Sequence, residues 1–158
     1  SVDGRAHLKQ AIPVLIAGKI VFIDKPIAGS LADAIMIYEL AKKHKTPVFS
    51  SSSARFITNL EAARKDPKLG KVVGCVSYGP CEIETYVPDF FWYGIHGVES
   101  LYAVMGPGCK SVARAHTKDT DVAVGTWGDG RIGTYRGIRS GKKDFGTLIF
   151  GDKGIVTT

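Results

Sequence analysis

Apolar and polar positions alternate along the chain in two different rhythms, and the change between them falls near residue 53. Before it, helical and strand-like stretches take turns. In residues 6–17, Leu8, Ala11, Ile12 and Leu15 fall at helical spacing, and Gly18 stands where a left-handed stop is expected. Pro13 interrupts that pattern, so a bend or a late start is expected. Residues 19–24, built around the apolar run Ile20-Val21-Phe22-Ile23, predict a buried strand. Ser30 then caps a second helix, with Asp33 three residues on as the partner of a capping box. Leu31, Ala34, Ile35, Tyr38 and Ala41 make its expected apolar face, and Lys42, Lys43 and Lys45 suit the negative end of its dipole. Residues 46–51 form the next strand. Helix, strand, helix, strand in this order predicts a parallel sheet with crossover helices.

After residue 53 the rhythm belongs to an antiparallel α+β arrangement. Residues 56–64 suit a short helix and 71–79 a strand. Residues 89–106, DFFWYGIHGVESLYAVMG, are apolar nearly all round and predict a buried helix. Strands are expected over 109–117, 121–128 and 130–139, the last two joined through Gly128-Asp129-Gly130, a tight-hairpin signal. Another strand pair begins at residue 144. The expected fold is therefore α/β: a Rossmann-like parallel part over residues 1–52, followed by an α+β part with a mostly antiparallel sheet over 53–158.

Composition narrows the function classes. The chain has 158 residues, 44% hydrophobic and 23% charged, with a net charge of +6. The basic residues are scattered without aromatic interleaving, which argues against nucleic acid. Nothing approaches a membrane span of ~20 apolar residues. Three cysteines, Cys75, Cys81 and Cys109, form no CxxC pair. They suit a reducing compartment, so a cytoplasmic protein is expected, with export left open, and their spacing fits no zinc site.

Chemistry is concentrated in a few places. Lys25 ends the first strand and precedes Pro26, whose ring forces the preceding residue into extended geometry. Carboxyl ends of parallel strands are where α/β folds bind ligands. A partly desolvated lysine there can donate to a hydroxyl or carbonyl. The alternative is a lysine that covers the strand end and pairs with Asp24. The Lys25-Pro26 bond is a candidate for a cis peptide. His96 sits in the apolar helix with Glu99 three residues on and Tyr93 three before, so the three share one expected stripe. Such a histidine either satisfies a buried hydrogen bond or moves a proton. His-x-x-Glu is half a metal site with no visible second half, so no metal is expected. Phe90, Phe91 and Trp92 are core or a wall on which a sugar could stack. Arg55, after four serines, is an anion anchor or a surface ion pair. His7, His44 and His116 carry no site signal. Gly128-Asp-Gly-Arg-Ile-Gly133 matches G-x-G-x-x-G, but a strand-like stretch follows where a dinucleotide site needs a helix.

Taken together, AGKIVFIDKPIAGSLADAIMIYELAKKHKTPVFSSSSARF, WYGIHGVESLYAVMG, GTWGDGRIGTYRG and FGDKG resemble the Gfo/Idh/MocA oxidoreductases, named after glucose–fructose oxidoreductase and inositol dehydrogenase. Asp24-Lys25-Pro26 is similar to that family's Glu-Lys-Pro element. The resemblance implies NAD or NADP as cofactor and a sugar, cyclitol or related polyol as substrate. It implies cofactor contacts from Asp24, Lys25, Pro26 and Arg55, and a catalytic set of Lys25, His96 and Tyr93, with His96 as proton acceptor. Trp92 and Glu99 would meet substrate. Trp92 stands four residues before His96, where many relatives carry aspartate, which leaves Tyr93 or Glu99 to take that partnership. The resemblance further implies the back of a cofactor domain joined to the front of a substrate domain, and a homo-oligomer formed through the open sheet face. Two other classes stay open on the sequence: an NAD-using glycoside hydrolase of the same family, and a non-catalytic binding or assembly module.

Overall fold

A computed structural model describes residues 4–56, 58–85, 87 and 89–158. In chain order the elements are α1 (His7–Ile16), β1 (Val21–Asp24), α2 (Leu31–Lys43), β2 (Val48–Ser51), α3 (Thr58–Arg64), β3 (Val72–Pro80), α4 (Ile95–Met105), β4 (Cys109–His116), β5 (Thr120–Trp127), β6 (Ile132–Ile138), β7 (Gly146–Gly151) and β8 (Ile155–Thr157). They fall into two compact units. Ser1–Ser52 with Ile83–Ile95 make the first, and Ser53–Glu82 with His96–Thr158 the second. Residues 83–95, assigned from sequence to the second part, thus cluster with the first.

In the first unit β1 and β2 pair in parallel, from Val21↔Val48 to Asp24↔Ser51. Ala11 and Leu15 of α1, Ile23 of β1, Ala28, and Ile37 and Ala41 of α2 form its core. Local signals behave as their chemistry dictates. The N–H of Gly18, at φ 69°, donates to the carbonyl of Leu15, and that of Lys19 to Val14, so α1 ends in a Schellman motif. The Ser30 hydroxyl accepts from the Asp33 N–H at 3.1 Å and caps α2. Pro13 lies well inside α1 rather than in its first turn. It is exposed, so its ring displaces no core packing.

The expected face of α2 is corrected. Leu31, Ile35 and Tyr38 are exposed (72%, 53% and 50%), whereas Ile37 and Ala41 are buried, with Ala34 and Leu40 packed beside them. Ile35, Met36, Ile37 and Tyr38 follow one another, so the pattern permits more than one face. Packing against the core that α1 and β1 share selects the Ala34–Ile37–Ala41 stripe.

The second unit is a six-stranded sheet in the order β4-β5-β6-β3-β7-β8. β3 and β6 are parallel, and every other pair is antiparallel. The β5–β6 turn closes with Gly130 N–H donating to Trp127 O and Trp127 N–H to Arg131 O. Gly130 has φ 87°, which a side chain would strain. The G-x-G-x-x-G match is therefore a hairpin. α4 covers one face of the sheet, burying Gly97, Ser100, Leu101, Val104 and Met105. Gly97 approaches the Tyr135 ring so closely that a Cβ would lie 2.2 Å from it, and its carbonyl accepts from the Ser77 hydroxyl at 2.7 Å. The other face carries the cross-strand row Ala113, Val124, Thr134, Val76, Leu148 and Thr157. Ile132 and Ile155 on that face are exposed.

α4 begins at Ile95, not near residue 89. Asp89–Phe91 form a 3-10 turn and Trp92–Gly94 a further turn. An uninterrupted apolar stretch gives no register from which to locate a helix start; Gly94, a poor helix former, marks it. Among the described residues, no helix is long and apolar enough to cross a membrane. No group of three or more metal-ligating side chains occurs among them either.

Candidate functional site

In the first unit, the carboxyl ends of β1 and β2 bring Asp24 beside Ser51. The next peptide, Lys25-Pro26, is cis. Lys25 Nζ donates to the carbonyl of Trp92 at 2.8 Å. It also stands 5.4 Å from the Trp92 ring centre and 5.8 Å from that of Tyr93. Electron-rich ring faces and a carbonyl oxygen are the groups that satisfy an ammonium without neutralising it. Burial pushes the Lys25 pKa below the ordinary lysine value, and the negative charge of Asp24 opposes part of that shift. The result is a strand-end cation, partly withdrawn from water and held by two aromatic residues. The ammonium has three protons, so the bond to Trp92 leaves donor capacity for an oxygen ligand. Ser51 turns its hydroxyl to the carbonyl of Ser52 at the same strand end, and Ser52 is buried.

In the second unit, His96 is the second residue of α4, and its ring meets the Phe145 ring edge-on, centres 6.1 Å apart at 88°. Phe145 occupies the space that a side chain on Gly79 would need; a Cβ there would lie 2.6 Å from its ring. Arg55 pairs with Glu99 through its Nε. Arg55 also lines a cavity of about 180 Å³ with Phe56, Leu60, Glu61, Arg64 and Ala103.

The sequence-predicted residues therefore sort into three local groups. Lys25, Trp92 and Tyr93 come together, although 67 residues separate the first two. Arg55 and Glu99 come together as an ion pair. His96 is set against Phe145. The expected Tyr93–His96–Glu99 stripe on one helix is corrected, because Tyr93 precedes the first residue of α4. Phe145 was not among the sequence candidates; it lies in a polar stretch between strands, and only its packing against His96 reveals it. His7, which gave no signal on its helical period, is buried and bonded to Pro26.

No protein-family model matches the sequence, and no curated protein does. Solved structures do match. GenD2 from gentamicin A biosynthesis, crystallised in complex with NAD, is similar at a TM-score of 0.84 and 18% identity, over 100% of this chain and 52% of that one. Scyllo-inositol dehydrogenase from Lactobacillus casei, with bound NAD(H) and scyllo-inositol, is similar at 0.81 and 17%, over 98% and 54%. Myo-inositol 2-dehydrogenase from Lactobacillus plantarum is similar at 0.81 and 19%, over 98% and 55%. The chain spans about half the length of these proteins. At this identity the likeness shows the fold: the α/β arrangement with a parallel pair and a mostly antiparallel sheet is shared over the whole chain.

Proposed function

We propose that this chain is the back of the cofactor domain and the front of the substrate domain of an NAD(P)-dependent oxidoreductase of the Gfo/Idh/MocA type. Its substrate is a sugar, cyclitol or related polyol. The observation that carries the reading is Lys25: an aromatic-held, partly desolvated ammonium at the carboxyl end of a parallel strand, in a fold shared with dinucleotide-dependent dehydrogenases.

The residues at that strand end fit the nicotinamide–ribose end of a dinucleotide. Lys25 offers a donor to a ribose hydroxyl, while the Ser51 hydroxyl oxygen, its proton given to Ser52 O, and the Asp24 carboxylate offer acceptors. Gly128–Gly133 is a hairpin and forms no pyrophosphate cradle. Asp24, Lys25 and Pro26 would hold the cofactor with help from Arg55. When bound, a nicotinamide supplies hydride acceptance or donation. The chain's own side chains handle the proton and the oxygen. Lys25 donates to the substrate hydroxyl oxygen and stabilises the negative charge that grows on it. His96 takes the hydroxyl proton as the carbonyl forms and returns it in the reverse direction. Trp92 and Tyr93 hold Lys25 in place and offer faces for the apolar side of a sugar ring, while Glu99 orients a substrate hydroxyl.

The test uses the full-length protein, a panel of inositols, aldoses and amino sugars, and either NAD or NADP. Growth of reduced nicotinamide absorbance with at least one polyol is expected. Saturation with every member of the panel without reduction of either cofactor removes the reading. The sheet face with Ile132 and Ile155 exposed would join copies of the protein, because a wide apolar sheet surface is costly in water. Light scattering is expected to show a dimer or larger, and Ile132→Lys to lower that mass. A wild-type monomer at micromolar concentration would contradict this.

A further inference from the structure

His7 has no part in the chemistry above, yet it is 5% exposed and its Nδ1 lies 2.8 Å from the carbonyl oxygen of Pro26. A carbonyl oxygen only accepts, so Nδ1 carries the proton of that bond. The same segment grips the loop at two further points. Gly4 sits so close to Ala28 and Pro26 that a Cβ on it would lie 2.8 Å from each. Gly29 sits so close to Arg5 that its Cβ would lie 2.6 Å from that side chain. Residues 4–7 therefore clasp residues 26–29, the loop that follows Lys25.

We propose that His7 is a positioning residue for Lys25, acting through the Pro26 carbonyl. The proline ring already fixes φ at residue 26. Anchoring its carbonyl fixes the next peptide plane as well, so the backbone after Lys25 has no soft torsion left at that residue. The lysine then leaves β1 in one direction, toward the Trp92 carbonyl and the Trp92 and Tyr93 rings. A histidine suits this task because its planar ring presents a donor from a short, two-torsion side chain that can be buried in α1's first turn. The importance of this clasp for catalysis rests on the oxidoreductase reading; the clasp itself does not.

The experiment follows labelled histidine and lysine by NMR in the full-length protein, without added cofactor. Long-range nitrogen–proton spectra read the His7 tautomer, and the Lys25 ε-carbon shift is followed against pH. Wild type is expected to show the Nδ1–H form and a Lys25 midpoint below the ordinary lysine value. His7→Asn places an amide N–H near the Nδ1 position and is expected to keep that midpoint. His7→Phe fills the space without a donor and is expected to move it up toward ordinary lysine. A neutral His7 protonated at Nε2 alone would overturn the proposal. So would a folded His7→Phe chain in which Lys25 titrates as in wild type. Should His7→Phe fail to fold, the tautomer and the Asn variant still decide. Absence of turnover by the full-length protein would instead remove the functional reading and leave this result standing.

Discussion

On the oxidoreductase reading proposed above, replacing His96 with asparagine in the full-length protein is expected to lower kcat for polyol oxidation by about 10²–10⁴-fold, the range that a positioned general base contributes. Asparagine keeps a short planar polar side chain on the first turn of α4 and cannot take up a proton near neutrality. Dinucleotide affinity, read by quenching of protein fluorescence, is expected to stay within a few-fold, because the proposed role of His96 is on the substrate hydroxyl. His96 packs edge-on against Phe145 on the first turn of α4. A variant that turns over within threefold of wild type would assign the proton to another group and leave His96 as a packing residue.

The second large effect concerns stability. Asp121→Ala destabilises the sheet unit by about 3–5 kcal/mol, the cost of removing one partner from a buried ion pair. Asp121 on β5 has no solvent exposure and lies between two guanidinium groups. Arg114 of β4 meets its Oδ1 from Nε at 2.7 Å and from Nη2 at 2.6 Å, and Arg139, just past β6, meets Oδ2. Arg139 also donates to the carbonyls of Lys118 and Thr117, so its charge cannot swing out to water without breaking those bonds. Removing the carboxylate takes the counter-charge from Arg139, which is 13% exposed, and from Arg114, which is 31% exposed. Urea unfolding at neutral pH measures the loss, and a change below 1 kcal/mol would mean that water replaces the carboxylate.

Asp121 also has a signature in pH. Burial alone would raise its pKa; the hydrogen bonds and charges of Arg139 and Arg114 outweigh that and hold it below the ordinary aspartate value. A carboxylate whose folded pKa is depressed contributes stability above its unfolded pKa, and that contribution is lost as pH falls through the folded pKa. The wild-type sheet unit is therefore expected to lose stability below about pH 4, the ordinary aspartate range. In Asp121→Ala that component of the acid slope is absent.

Much of the architecture was legible because it is encoded locally. The Ser30 cap, the Gly18 stop, the Gly128–Gly130 turn and the strand runs each depend on neighbours within a few residues. The order of elements named the parallel part and the antiparallel part. Lys25 stood out for the same reason, since the end of an apolar strand followed by proline is visible in three letters. Other features are not local. Ile35 to Tyr38 offered α2 more than one apolar face, and only the shared core with α1 and β1 chose Ile37 and Ala41. Residues 89–106 were apolar nearly all round, so the register that separates Tyr93 from His96 had to come from packing.

Side-chain partnerships show the same division. That Arg55 and Glu99 satisfy each other follows from folding of the 3-10 turn Ser53–Phe56 onto α4 across 44 residues. That Lys25 is held by Trp92, and Pro26 by His7, requires chain segments 67 and 19 residues apart to meet. Sequence alone determined which residues can carry a charge, a proton or a turn, because those are properties of single side chains and short stretches. Only the tertiary structure decided which of them touch, because burial and hydrogen-bond satisfaction act between distant segments and choose among patterns that the linear order leaves equivalent.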